Sequence, residues 1–292
     1  MAVTTTDVAA AQPKADRNPF AGVQYRWWWA MSFCGSVAVG LQLVTVPTYV
    51  LDRTDTRFYI AVALLCQTVP TALLTLVGGA TADRVGRRRI LLTTFAVAAI
   101  ASTAYLLLAT AEARALWPVF VIAAVVGATT AFGSPARQAM LHRLAPGSRL
   151  QNGVILGTFA FMGGQSFIGP ALGGLTVSAL GLTAGFGLEV ALLALAWLCA
   201  TRLRGVDGEA VPARGSLVAQ IGEGLRYVRA DPRIWQVMVI AIVPALCFIG
   251  VAQATFPVFA RDTFDRGAGG IGALNAGMGF GVLAGSLLLA RW

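Results

Sequence analysis

Charge is what this sequence has least of. Only 12% of its 292 residues are Asp, Glu, Lys or Arg, against about 25% in soluble domains, and one lysine, Lys14, stands beside 21 arginines. With 57% of residues drawn from AVILMFWYC and a mean hydropathy of +0.72, this composition excludes an ordinary soluble globule. It also excludes intrinsic disorder, which needs low hydrophobicity and high net charge. Cysteine is scarce as well. Cys34, Cys66, Cys199 and Cys247 fall singly on separate apolar stretches, with no C-x-x-C and no metal-ligand spacing, which leaves them as small packing residues. The one histidine, His142, supplies neither a metal site nor a catalytic pair. No G-x-x-x-x-G-K-[ST] loop, nucleophile elbow or His/Cys/Asp/Glu cluster occurs, so a nucleotide-driven or enzymatic function has no residues to carry it and no cofactor is expected.

What is present is apolar length. Stretches free of Asp, Glu, Lys and Arg cover 27–51, 58–82, 90–111, 115–136, 150–188, 190–201, 234–260 and 267–290. About 20 helical residues cross a ~30 Å hydrocarbon core. The interval 150–201 is too long for one crossing and holds a single charge, Glu189, so it divides near Leu180-Gly181. The prediction is an all-α polytopic membrane protein with eight spans. If the amino terminus is cytoplasmic, 17 of the 22 basic residues fall on inner segments, and only Arg53, Arg57, Arg114, Arg261 and Arg266 on outer ones. That is the positive-inside pattern. The net charge of +9 therefore reads as topology, and nucleic-acid binding loses its main support.

Residues 1–26 are polar, mixed in charge and followed by a full-length span without a short h-region, which reads as a cytoplasmic tail rather than a cleaved signal. The spans of 27–201 make a six-helix bundle. A polar interval, 202–233, follows; within it Leu217, Ile221, Leu225 and Val228 recur at helical spacing, predicting an amphipathic helix at the inner surface. Residues 234–292 hold two further spans. A polar linker after six spans suits a six-plus-six carrier built from repeated helix groups. The second group stops after two helices, so a fragment or truncated product is expected.

The most specific motif is Gly79-Ala80-Thr81-Ala82-Asp83-Arg84-Val85-Gly86-Arg87-Arg88-Arg89-Ile90-Leu91. Gly86 gives backbone freedom to a tight turn and the basic run anchors it on the inner side, a reading that stops at a positively charged loop. These residues also resemble the signature G-x-L-A-D-R-x-G-R-[RK]-x-x-L of the major facilitator superfamily. Gly79, Ala82, Asp83, Arg84, Gly86, Arg87, Arg88 and Leu91 match it, and Thr81 stands where Leu is usual. The resemblance implies a twelve-helix carrier in which this loop is a conformational latch, Asp83 meeting the inner end of an eleventh helix that this chain does not include.

A second block, Gly169-Pro170-Ala171-Leu172-Gly173-Gly174, resembles the G-P-x-x-G-G motif of the superfamily's exporters, with Gln165 where the upstream Gly is usual. Physically, Pro170 removes a backbone donor and bends the helix, while Gly169 and Gly173 admit a neighbouring helix; tight packing alone is the competing reading. The run Pro135–Leu141, with Leu144-Ala145-Pro146 and Leu150–Gly153, resembles the loop between the fourth and fifth helices of the siderophore-exporter branch. Gly224–Arg229 with Asp231-Pro232 resembles its central loop. The Arg that drug/proton antiporters often carry on the fourth helix is missing, since 115–136 has no charge.

Glu189 is the one ionisable residue expected within the membrane, and such a carboxyl is costly enough to be a candidate for ion coupling. It either pairs with a donor such as Gln42, Gln67 or Gln165, or sits near the outer end of the sixth span and reaches water. Gln42, Gln67, Gln165, Gln253 and Asn275 are candidates to line a central cavity, or else interhelical glue. Trp27, Trp28 and Trp29 open the first span as an interfacial belt. The resulting expectation is a multi-pass exporter in a bacterial inner membrane, surrounded by lipid and moving a small amphipathic molecule such as a siderophore or drug. It would run by alternating access on an ion gradient, the proton first, with no nucleotide and no nucleic-acid partner. A nutrient importer on the same fold, and a non-transporting remnant or subunit, are the alternatives.

Overall fold

The computed structural model describes residues 18–54, 56–112, 115–145, 149–205, 231–244 and 251–289, together with Gly222, Arg226, Val228 and Arg229. A backbone in hydrocarbon must satisfy its own polar groups, and the helix is the way a single segment does so. Among the described residues the chain is helical, without strands. The helices are α1 (Val23–Arg53), α2 (Phe58–Val85), α3 (Arg87–Thr110), α4 (Trp117–Leu144), α5 (Leu150–Leu180), α6 (Leu182–Arg202), α7 (Pro232–Pro244), α8 (Val251–Asp262) and α9 (Gly267–Leu289). Two of the breaks are made by glycine in left-handed backbone: Gly86, φ 100°, between α2 and α3, and Gly181, φ 85°, between α5 and α6.

Seven of these helices, α1 to α6 and α9, are long and apolar enough to cross a membrane. The sequence count of eight differs at 234–260, which is present as α7 and α8 with residues 245–250 outside the described set. The division of 150–201 falls at Gly181, as the spacing predicts. Other boundaries move. The fourth apolar stretch was expected to end at 136, yet α4 runs on to Leu144, so Pro135–Leu141 is helix rather than loop and Arg137 lies on a spanning helix. The amphipathic helix expected at 216–229 lies almost wholly outside the described residues.

Lipid is as apolar as leucine, so helices associate through close packing and hydrogen bonds rather than by escaping water. α1 is the most buried span and packs against α5 and α6; α3 lies between α4 and α6, α2 covers α4, and α9 lies against α5 and α8. One core cluster, around Tyr25, Trp28, Met31, Leu91, Met140 and Cys199, occupies the end of the bundle that carries the Gly86 turn, here the basic end. A second, around Tyr49, Ile60, Tyr105, Val119 and Phe186, fills the opposite end. There Phe186 stacks on Tyr105 with ring centroids 5.4 Å apart and meets Tyr49 edge-on at 6.2 Å.

Trp28 departs from the expected interfacial belt. Trp28 is buried and its indole N–H donates to the Arg137 carbonyl at 3.1 Å. Trp29 donates to the Leu156 carbonyl at 2.9 Å and stacks on Phe33. Trp27 faces a cation at that end, the Arg202 guanidinium 5.7 Å from its ring. A buried indole N–H needs a hydrogen-bond partner, and helix carbonyls of α4 and α5 supply it here.

Candidate functional site

The Gly86 turn is built as its residues require. α2 stops at Val85, Gly86 takes the positive φ and α3 starts at Arg87. The Arg87 guanidinium donates to the Ala139 carbonyl of α4 at 3.1 Å, and that of Arg88 to the Thr201 carbonyl of α6 at 3.0 Å. Thr201 lies in the last turn of α6, where carbonyls lack helical partners and cations are favoured, and Ala139 lies five residues before the end of α4. Arg84 is a further part of the turn, with its Nε buried. The Thr81 hydroxyl is taken up by the Val77 carbonyl at 2.7 Å, and Gly79 faces Pro135 on α4. Asp83 is on the last turn of α2, but its side chain lies outside the described residues.

Glu189 does not reach the outer surface. It is fully buried, seven residues into α6, and its Oε1 accepts from Gln42 Nε2 on α1 at 2.5 Å and from Ser102 Oγ on α3. Its Oε2 is buried with no hydrogen-bond partner among the described residues. One oxygen with two neutral donors and one with none is an arrangement that can hold a proton on Oε2. Gln42 joins this carboxyl to a cavity, which it lines together with Gln67, Gln253, Pro47, Tyr105 and Val126. Three of the five expected cavity residues, from α1, α2 and α8, are therefore brought together. Gln165 is not with them: it lines a separate cleft containing Arg137. Asn275 is buried and spends its amide on the Ile271 carbonyl of its own helix at 2.9 Å.

The glycine block of α5 has two faces. Phe159–Ile168 just before it is a π-helix, with Gly169 N–H reaching back to the Gly164 carbonyl, and Pro170 then follows without a donor. On one side a Cβ at Gly169 would stand 2.6 Å from Gly40 Cα of α1, and Gly173 faces Leu41 and Val44. On the other side Gly174 meets α9, where a Cβ on Gly272 would stand 2.6 Å from the Pro170 carbonyl and one on Gly279 2.0 Å from that of Ser166. Backbones approach this closely only where side chains are missing.

At the far end, opposite the Gly86 turn, the α1–α2 connection is tied to α8. Arg57 pairs with Asp262 at 2.5 Å, and Arg261 donates to the Leu51 carbonyl at 2.5 Å with Asp52 at 3.7 Å.

A family model described as a transmembrane secretion effector, of the major facilitator superfamily, matches residues 15–292. The chain belongs to that family. Curated relatives include the multidrug efflux pump Tap of Mycolicibacterium fortuitum, 26% identical over 261 residues covering 84% of this chain and 63% of the relative. Tap of Mycobacterium bovis is 26% identical over 231 residues, 76% of this chain and 55% of the relative. The macrolide efflux protein A of Streptococcus pyogenes is 21% identical over 264 residues, 89% and 64%. The chain thus spans less than two thirds of the length of these relatives. Membership of this superfamily, with seven helices long and apolar enough to cross a membrane, makes it a multi-pass membrane protein.

Several residues of this superfamily member were not legible as site residues in the sequence. Ser102 is an ordinary hydroxyl on an apolar span, and nothing local says it faces Glu189. Gly272 and Gly279 carry a signal, glycine at i and i+7 on one helix face, but 267–290 holds so many glycines that the pattern is drowned. Arg137 was visible only as one more basic residue at a span end.

Proposed function

We propose that the protein is a secondary exporter of a small amphipathic molecule, a drug or a siderophore, working by alternating access in a bacterial inner membrane. The observation that carries this reading is α5, whose glycine block lies between α1 and α9 with helix backbones in contact on both sides. A glycine-lined, donor-poor segment is where two helix groups can slide or rock with few side chains to repack, as repeat-built carriers require. In this reading the amino terminus and the Gly86 turn are cytoplasmic, and Gly79, Asp83, Arg84, Gly86, Arg87 and Arg88 form the latch on that side. Gly169, Pro170, Gly173 and Gly174 are the bend. Gln42, Gln67 and Gln253 offer neutral donors and acceptors to a substrate within an apolar wall, the make-up usual for small-molecule cavities. Glu189 is the proton carrier, communicating with that cavity through Gln42. The ion pairs at the far end then hold that side shut.

The relatives named for multidrug and macrolide efflux support the exporter direction over nutrient import. The test is transport by everted membrane vesicles containing the protein. An imposed proton gradient, acid inside, drives accumulation of the macrolide erythromycin, and Asp83→Asn slows that accumulation at least tenfold. Accumulation no greater than in vesicles lacking the protein sinks the exporter reading. Uptake by intact cells in place of extrusion replaces it with the importer.

A further inference from the structure

The cleft around Arg137 has a chemistry that neither the latch, the bend nor Glu189 uses. Arg137 lies on α4 seven residues before the helix ends, about 10 Å of axial rise. Its guanidinium points inward: Nη1 is 3.4 Å from Ser36 Oγ, thirteen residues into α1, about 20 Å along that helix. On its other side the cation sits over the Phe161 ring of α5, 4.8 Å from the centroid, an attraction of the ring face for a desolvated charge. The two ion pairs among the described residues involve Arg57 and Arg261, and no carboxylate approaches Arg137 within ion-pair distance there. A guanidinium has five donors in a planar fork, and among the described residues its one acceptor is Ser36 Oγ, at Nη1.

The space in front of it is a cleft walled by five helices, α1 and α3 to α6. Its lining alternates polar atoms with apolar surface. Gln165 has no side-chain hydrogen bond among the described residues, while Ser134 accepts from Gln138 Nε2 at 3.3 Å and keeps its own proton to donate. Val39, Phe95 and Leu193 make the apolar wall. The hydroxyl of Thr94 is already committed to the Ile90 and Leu91 carbonyls of its own helix. What remains is one unneutralised cation, two further donors and an aromatic floor. A lone charge within a membrane protein is costly unless it is paired, and an arginine fork matches a carboxylate bidentately.

We propose that this cleft is an anion subsite that takes the carboxylate or phenolate of an amphipathic aromatic molecule, with Arg137 as its binding residue and Phe161 as its floor. The inference rests on the exporter reading for the use made of the site, but binding alone tests the site. The same chemistry would suit a lipid phosphate; enclosure by five helices, with the cation directed at α1 and α5, favours a diffusible acid.

The experiment is equilibrium binding to the full chain in phosphatidylcholine nanodiscs, using radiolabelled naphthoate and its uncharged isostere naphthamide. The wild type is expected to bind naphthoate at least tenfold more tightly than naphthamide. Arg137→Gln reduces that ratio to near one with naphthamide binding unchanged, and Arg137→Lys keeps part of it. Ser36→Ala, which leaves the guanidinium in place and removes the hydroxyl beside it, weakens naphthoate several-fold and serves if Arg137→Gln fails to fold. Equal binding of the two probes by the wild type overturns the proposal, and so does a preference that survives both Arg137→Gln and Ser36→Ala. Nanodiscs containing phosphatidylglycerol separate the sources: unchanged naphthoate affinity supports a diffusible acid, and its loss assigns the cleft to lipid and overturns the substrate subsite. Erythromycin transport is read in parallel, so a chain that binds naphthoate through Arg137 but moves nothing refutes the exporter reading while the subsite stands.

Discussion

Glu189 accepts from Gln42 and Ser102 on Oε1 and from nothing on Oε2, with no exposure to solvent and no cation beside it among the described residues. Removing one partner of a buried polar group exposes the other to its full desolvation penalty, about 1–3 kcal/mol. Gln42→Leu is therefore expected to lower stability by about that amount, measured by thermal unfolding in detergent. Glu189→Gln keeps a carbonyl oxygen for both donors, so its stability stays within about 1 kcal/mol of the wild type, the net worth of a typical hydrogen bond. The same change removes the exchangeable proton. Proton-driven accumulation of erythromycin should then fall to background in Glu189→Gln vesicles, whereas exchange of labelled for unlabelled macrolide without a gradient persists. Full gradient-driven transport by Glu189→Gln would reduce this carboxyl to a structural residue. The intramembrane charge itself was legible in the sequence, because a lone Glu in 52 otherwise uncharged positions (150–201) is conspicuous. Its depth was not legible, because span ends cannot be placed from charge alone: helices continue through charged residues wherever neighbouring helices provide partners.

Single helices show the same limit and its reason. The break at Gly181 and the turn at Gly86 could be read from the sequence because glycine is the residue that accepts positive φ without strain. The continuation of α4 past Pro135 could not, since what carries it on is tertiary: Trp28 donating to the Arg137 carbonyl and Arg87 to that of Ala139. Glycines within helices divide by what faces them, which sequence does not show. A Cβ at Gly40 would stand 2.5 Å from the Gln165 carbonyl, and one at Gly279 2.0 Å from that of Ser166, whereas Gly277 and Gly281 have nothing within 4 Å. Backbone atoms cannot rotate aside, so Gly40→Ala and Gly279→Ala each carry an overpacking cost of about 1–3 kcal/mol. Alanine at 277 or 281 should be neutral or stabilising by up to about 1 kcal/mol, through helix propensity. Thermal unfolding of the four variants checks the pattern. A Gly279→Ala protein that melts with Gly277→Ala would mean that α9 does not rest on the Ser166 carbonyl, removing a contact that the proposed α5 hinge requires.

Across the whole molecule, the proposed alternating access gives the ties at the far end a part in setting which side is shut. Arg57 and Asp262 join the α1–α2 connection to α8, and Arg261 adds a hydrogen bond to the Leu51 carbonyl with Asp52 nearby. The Arg57–Asp262 side chains are 60% and 34% exposed, so the pair contributes only about 0.2–1 kcal/mol. That is negligible for folding but not for a two-state carrier, in which 1 kcal/mol changes the ratio of states about fivefold. Asp262→Asn should accordingly raise the population open at the far end by about 1.4- to fivefold. The readout is the rate at which a membrane-impermeant thiol reagent added from that side labels a cysteine placed by Gln253→Cys, with Cys34, Cys66, Cys199 and Cys247 replaced by Ala. Because the pair is exposed, the difference between Asp262→Asn and the parent should shrink as salt rises to about 1 M, where the screening length falls to about 3 Å. The exchanged pair, Arg57→Asp with Asp262→Arg, restores attraction with the signs reversed and should return labelling to the parental rate, which a loss of local packing would not allow. Equal labelling of the parent and Asp262→Asn at low salt would show that the far end is held by packing of α8 and α9 alone, and the ion pair would then have no part in setting which side is open.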